Sequence, residues 1–356
     1  MASEWDNPVR LGVIGAGLIG KKHAALIKKI PGIRLAGISD VNPAAAKLAA
    51  ELETKYYSEY KDLLNHAALE GAVVATPTNL HTQIGVVCAQ HGIHLLVEKP
   101  IAQSVADAQV LVDSARAHKV HLLVGHHRRH NPLVQEVRRR INGGNIGKLV
   151  AVSVLWTLMK PNVYFHVEWR TKSGGGPVLI NLIHDIDNLR YVCGEINRVY
   201  AETSSAVRGF EVEDSASISL RFANGALGTI LASDCTPSKW SYEQGTGENP
   251  YYHRTRGNCY IFFGTEATLS FPDMNLVRFQ NPAHAGWQFP IVTEHIDVAA
   301  QDPLVVQLKH FGNVIRGKEE PRITGEDGLR TLAVARAILD SGKNGSPIEF
   351  SYSSTD

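Results

Sequence analysis

Cysteine is scarce in this chain, with four in 356 residues. Cys88, Cys193, Cys235 and Cys259 are widely scattered and show no CxxC spacing, which argues against a disulfide framework and against a thiolate metal site. The expectation is four buried thiols in a reducing compartment. Net charge is nearly absent as well, +1 from 36 basic and 35 acidic residues. Nothing electrostatic therefore draws the chain to nucleic acid or to an anionic membrane. No apolar run is long enough to span a bilayer, and the opening MASEWDNPVR lacks the basic segment and apolar stretch of a secretory leader. Internal repeats and low-complexity segments are missing too. These absences predict a soluble, cytoplasmic protein whose partner is a small molecule, with no nucleic acid and no membrane.

The composition that remains is ordinary for a globular chain, 44% hydrophobic and 20% charged, and 356 residues exceed what one hydrophobic core usually serves, so two domains are expected. The first, over 8–126, alternates short apolar strands with helices. Strands are expected near 9–16, 33–39, 71–75, 93–97 and 120–125, and helices near 18–30, 43–53, 58–66, 80–91 and 104–118. This rhythm specifies a parallel sheet covered on both faces. After residue 126 it changes: a helix near 131–142 precedes strand-like runs near 148–158, 197–207, 214–222, 226–234, 258–263, 267–271 and 275–280. Asn224-Gly225 marks a hairpin between two of them. A helix near 177–193 interrupts the strands, and two more near 303–317 and 325–341 close the chain. The second domain, 127–350, is therefore α+β with a mainly antiparallel sheet. The stretch 236–257 has no periodicity and is rich in aromatics, Gly and Pro, a loop long enough to suggest a functional role.

Gly15-Ala16-Gly17-Leu18-Ile19-Gly20 matches GxGxxG. The pattern carries weight here because it follows a strand, opens a helix, and has Asp40 at the end of the next strand. Gly15 would allow the tight turn, Gly17 the approach of backbone to a pyrophosphate, and Gly20 close packing of helix on strand. Leu18 and Ile19 would stand at the helix N-terminus where the phosphates sit. Asp40 would accept hydrogen bonds from the adenosine ribose and repel a 2′-phosphate, favouring NAD over NADP; as a turn residue before Val41-Asn42-Pro43 it would have only a structural role.

Two further segments fall at strand ends on the edge where doubly wound sheets bind ligands. In Thr76-Pro77-Thr78-Asn79-Leu80-His81, Thr76 and Asn79 are positioned to meet the cofactor, though Asn79 is equally suited to cap the following helix. In Val97-Glu98-Lys99-Pro100, Lys99 would reach the nicotinamide ribose and a substrate hydroxyl, and could exchange the alcohol proton. The alternative for a lysine after a strand is a solvated surface group. His121, His126, His127 and His130 lack a carboxylate cluster, and no metal is expected.

Taken together, GAGLIG at 15–20, TPTNLH at 76–81, EKP at 98–100, GHHRRHNP at 125–132 and GGGPVLINLIHDID at 174–187 resemble the glucose-fructose oxidoreductase and inositol dehydrogenase (Gfo/Idh/MocA) family over nearly the whole chain. The resemblance implies an N-terminal Rossmann domain and a C-terminal domain whose large open sheet forms homodimer or homotetramer contacts. It implies NAD as cofactor, contacted by Gly15, Gly17, Leu18, Ile19, Gly20, Asp40, Thr76, Pro77, Asn79, His81, Glu98 and Lys99. It also implies oxidation of a secondary alcohol on a sugar, cyclitol or related ring, with Lys99 and His184 as the catalytic pair. Arg128 and Arg129 fall in the arginine-bearing segment after the last Rossmann strand. Lys160, Tyr164, Trp169, Arg170 and Asn181 join Lys99, Arg128, Arg129 and His184 as candidates for substrate contact, the aromatic faces suiting a ring and the cations a hydroxyl or acid group. The same aromatics would serve equally well to pack a loop.

One departure from the family pattern stands out. Members often carry an aspartate four residues before the histidine, one helical turn away, and this chain has Ile180 there. Asn181 lies about 100° further round an α-helix and does not inherit the aspartate's role. His184 is left as the main titratable partner of Lys99, with Asp185 and Asp187 placed to orient its ring or to bind an arginine. Two other activities fit the same motifs: a redox-neutral glycosidase that oxidises, eliminates and reduces on tightly held NAD, and a non-catalytic NAD-binding sensor.

Overall fold

The computed structural model describes residues 7–351, which divide into two compact units. The first contains residues up to His130 together with Gln301–Leu332. Its strands are β1 (Val9–Ile14), β2 (Ile33–Ser39), β3 (Tyr56–Tyr57), β4 (Gly71–Val74), β5 (His94–Val97) and β6 (Leu122–Val124), and its helices α1 (Leu18–Ile27), α2 (Ala45–Glu51), α3 (Tyr60–His66), α4 (His81–Gln90) and α5 (Val105–Ala117). The strands form one sheet in the order β3-β2-β1-β4-β5-β6, parallel at every pairing. Burial on both faces explains why β4 reads as an unbroken apolar run and β1 is interrupted only at Arg10, without the alternation of a half-buried strand.

The order reverses between β1 and β4, so the loops after these strands diverge and open a crevice at the carboxyl ends. The first of them is the glycine turn. The two-residue β3 at the sheet edge has too little length for a pattern to reveal it. The core of this unit draws Val9, Leu11, Val13, Ile27 and Ile38 together with Leu308, Phe311 and Val314, the last three from α9 (Pro303–Ile315).

The second unit comprises Asn131–Ala300 and the chain from Ala333 onward. Following α6 (Pro132–Asn142) and β7 (Leu149–Thr157) come α7 (Ile183–Cys193), β8 (Ile196–Ser204), β9 (Ser215–Phe222), β10 (Leu227–Ser233), the short α8 (Tyr242–Thr246), β11 (Tyr260–Gly264), β12 (Ala267–Phe271), β13 (Asn275–Phe279) and β14 (Ile291–His295). The chain ends with α10 (Gly325–Asn344) and β15 (Ile348–Glu349). Nine strands pair in the order β14-β13-β12-β11-β7-β10-β9-β8-β15, antiparallel except where β10 runs parallel to β7. Asn224-Gly225 turns β9 into β10, with Asn224 Oδ1 accepting the Ala226 amide at 3.0 Å. One face of the sheet buries Val152, Val154, Trp156, Ile218, Phe222, Ile230 and Phe262.

Two expectations need correction. The helix foreseen over 177–193 begins as a π turn, Val178–Leu182, and becomes α-helical only at Ile183. Of the four cysteines, all free, Cys235 is only half-buried, because it lies beyond the end of β10 in an isolated bridge to Met159. Burial pushes the Cys88 thiol up to about 12 and drives Cys193 upward as well, as expected of inert interior thiols.

Candidate active site

The glycine turn joins β1 to α1. Gly15 has φ +94°, and a Cβ there would strike the Ala75 carbonyl, so only glycine makes this turn. A Cβ at Gly17 would meet nothing within 4 Å, and Leu18 at the start of α1 is 95% exposed, while Ile19 beside it is half-buried. Open space thus lies over the helix N-terminus, where amide donors and the helix dipole suit a pyrophosphate. Asp40, just past β2, sends Oδ2 to the Ala16 amide at 2.5 Å and Oδ1 to the Asn42 amide at 2.7 Å. Its carboxylate therefore sits directly beside the turn. These residues fit a dinucleotide.

The loop after β4 runs through Thr76 and the exposed Pro77 into a 3₁₀ turn, Thr78–Leu80. Thr76 Oγ1 is buried without a hydrogen-bond partner. Asn79 is exposed within that turn, and α4 has no side-chain cap, which removes the capping role weighed for it. His81 and Glu98 are both buried. His81 is 1% exposed with its ring nitrogens on the carbonyls of Pro100 and Thr76, and Glu98 pairs with His23. Lys99 lies two residues past the end of β5, on the same sheet edge as Gly15 and Asp40.

The arginine segment forms a 3₁₀ turn, His127–His130. Arg128 and Arg129 are both buried, and Arg129 is committed to Asp327, 3.2 Å away, and to the Arg322 carbonyl. The histidines there do not converge. His121 stacks on His94 with ring centres 5.0 Å apart, while His130 meets Arg322 Nη1 at 3.1 Å. Among the described residues no group of three His, Cys, Asp or Glu gathers as a metal site.

In the second unit His184 is the second residue of α7 and is 8% exposed. Asp185 turns towards the sheet and accepts the hydroxyl of Tyr260 from β11. Before them, the π turn adds a residue to the helical repeat and so alters which side chains share a face with His184. Ile180 and Asn181 are both half-buried there, and Asn181 Oδ1 is buried without a partner.

Lys160 and the aromatics form a group of their own. Lys160 Nζ is buried 3.1 Å from Asp234 Oδ2, and Arg208 Nε takes the other oxygen at 2.7 Å. Burial lowers the lysine's pKa and Asp234 only partly offsets it. The Tyr164 ring is covered by cations, Lys160 Nζ at 4.8 Å and the Arg170 guanidinium at 4.1 Å from its centre. Tyr164 is thus engaged within the loop, whereas Trp169 stays half-exposed. Sequence reasoning overlooked Glu213, which accepts the Val178 amide at 2.9 Å where the π turn starts. Burial raises its pKa. The alternation through β9 pointed to this strand, but nothing in the spacing singled out the glutamate ahead of it.

Comparison with known proteins agrees with this construction. Residues 9–126 match the model of the Gfo/Idh/MocA oxidoreductase family, NAD-binding Rossmann fold, and residues 134–270 match the Gfo/Idh/MocA C-terminal domain. The scyllo-inositol 2-dehydrogenase (NAD+) of Bacillus subtilis is 26% identical, covering 97% of this chain and 97% of its own. The myo-inositol 2-dehydrogenase of Thermotoga maritima is 27% identical over 94% of this chain and 96% of its own. The WlbA dehydrogenase from Bordetella pertussis, crystallised with NADH and UDP-GlcNAcA, superposes with a TM-score of 0.78 at 25% identity, covering 98% of this chain and all of its own.

Proposed function

Because the chain belongs to the Gfo/Idh/MocA family of NAD-binding oxidoreductases, we propose that it oxidises a secondary alcohol of a cyclic polyol, a cyclitol or a sugar. The observation that carries this reading is the placement of Lys99 at the carboxyl end of β5, on the sheet edge that also presents the glycine turn and Asp40. The inositol dehydrogenases among its relatives support the substrate class.

NAD, when bound, supplies the hydride acceptor. Asp40, the open turn at Gly17 and the first amides of α1 are the groups that would hold it. Lys99 donates to the substrate hydroxyl and places positive charge where negative charge develops on that oxygen. His184 takes the hydroxyl proton as general base. Asn181 offers an unsatisfied amide oxygen to a further hydroxyl, a role that Ile180 cannot fill.

A panel of inositols, free sugars and glycosides, followed by NADH absorbance with NAD and NADP in parallel, tests the reading. Net NADH should accumulate with at least one cyclic polyol and preferentially with NAD. Glycoside cleavage without net NADH would identify the redox-neutral glycosidase, and NADH binding without any turnover the sensor. Lys99→Ala should lower kcat by roughly 10²–10⁴-fold; full turnover in that variant would overturn the mechanism.

A further inference from the structure

Glu98 belongs to a buried polar arrangement in the first unit that the proposed chemistry leaves unused. Its Oε1 accepts from His23 Nε2 at 2.9 Å, and its Oε2 accepts the backbone N–H of Lys99 at 3.2 Å. On the third side stands Gly125, just after β6, where a Cβ would come within 2.8 Å of Oε2. His23 is fully buried on α1, one turn past Gly20. Burial alone would raise the Glu98 carboxyl, but the His23 hydrogen bond and the charges of His23, Lys99 and His127 outweigh it and hold the group at about 2. These neighbours favour the ionised form of Glu98.

The residue after Lys99 is held as well. His81 Nδ1 lies 2.9 Å from the Pro100 carbonyl and Nε2 lies 2.9 Å from the Thr76 carbonyl. Carbonyl oxygens only accept, so a neutral imidazole donates to one of them at a time. The ring lies between the loop after β5 and the loop after β4, and with its proton on Nδ1 it donates to the Pro100 carbonyl. Two buried histidines, from α1 and α4, secure the residues immediately before and after Lys99.

We propose that His23 and His81 are positioning residues for Lys99: His23 fixes Glu98 against the Lys99 amide, and His81 anchors the Pro100 carbonyl. A lysine side chain has four rotatable bonds, so the region its ammonium can reach depends on how firmly its backbone is set. Removing His23 leaves a buried carboxylate without its donor. The carboxylate must then reorient or take up a proton, and the Lys99 amide moves with it. A displacement of about 1 Å at such a group costs on the order of 10²-fold in rate.

The inference rests on the reading of Lys99 as the substrate-binding lysine, and its test separates the two. In the full chain, lysines are reductively methylated with ¹³C-formaldehyde, and the Lys99 resonance is identified by its loss in Lys99→Arg. His23→Phe and His81→Phe should shift that resonance and its titration midpoint while other lysine signals and NADH binding stay near the parent. With whichever polyol the panel returns, kcat should fall about 10²-fold with little change in KM. His23→Gln, which keeps a donor to Glu98, should restore most of the effect. Should the Phe variants fail to fold, Glu98→Gln carries the test, because its amide holds the Lys99 N–H less tightly. An unmoved Lys99 signal in soluble variants overturns the proposal, as does a uniform shift of all lysine signals together with lost NADH binding. Full turnover in Lys99→Arg and Lys99→Ala would instead overturn the catalytic reading of Lys99, leaving the positioning result intact.

Discussion

At Asp40 both carboxylate oxygens are occupied by backbone amides, those of Ala16 and Asn42, so the group expected to meet the adenosine ribose also organises the glycine turn. Asp40→Ala should therefore weaken NAD binding through both effects, by about 1–3 kcal/mol, and should narrow the preference for NAD over NADP. Titrating NADH and NADPH by fluorescence checks both outcomes. Glu98 offers a second residue-level expectation. Its native value of about 2 lies below the ordinary 4.5, so its contribution to stability is complete above 4.5 and is lost as pH falls towards 2. Acid unfolding of Glu98→Gln should show a shallower dependence across that window, whereas an unchanged acid limb would contradict the assignment. The sequence exposed Asp40, Lys99 and His184 because each sits in a motif or at a strand end. His23 and Glu213 were hidden because their partners lie 75 and 35 residues away, and such contacts leave no periodic trace.

Among the elements, the π turn before α7 was the least legible. The run Val178-Leu179-Ile180-Asn181-Leu182 is nearly all apolar, and periodicity alone does not distinguish a π turn from an α turn in such a run. The strand β14 was also missed, for the opposite reason: all five of its residues are exposed, so it lacks the alternation of a half-buried strand. The strand β9, with every second residue inside, was read to within one residue, whereas the ends of α1 and β8 were placed three residues too late. Glu213 makes the π turn testable. Its pKa is raised by burial, so the proton-binding form is favoured in the native state and stability drops as pH climbs through that raised value. Glu213→Gln keeps an acceptor for the Val178 amide but cannot ionise. It should be more stable than the parent near neutrality, with the advantage shrinking on acidification to below the ordinary glutamate range. Thermal melts of both proteins at acidic and neutral pH measure the difference.

On the scale of the whole molecule, the nine-stranded sheet leaves one side open. Register aligns Phe263, Ala151, Leu227 and Arg221 in one row and Leu155, Leu231 and Ser217 in another, and Leu227 and Leu231 are 52% and 50% exposed. Exposed leucines on an open sheet face suit self-association, and we propose a homodimer or homotetramer through this face. Leu231→Glu should lower the mass found by sedimentation without unfolding the subunit; a parent that sediments as a monomer would remove the idea. The first unit, meanwhile, is closed by a segment that comes late in the chain: Leu308, Phe311 and Val314 of α9 complete the core around β1 and β2. The chain thus leaves the first unit after His130, returns to it at Gln301 and leaves it again after Leu332. During synthesis the core on the nucleotide-binding sheet stays incomplete until residue 315 has left the ribosome, even though its six strands are finished by residue 124. Domains usually fold as they emerge, but here the earliest-made unit completes its core only when one of the last helices docks.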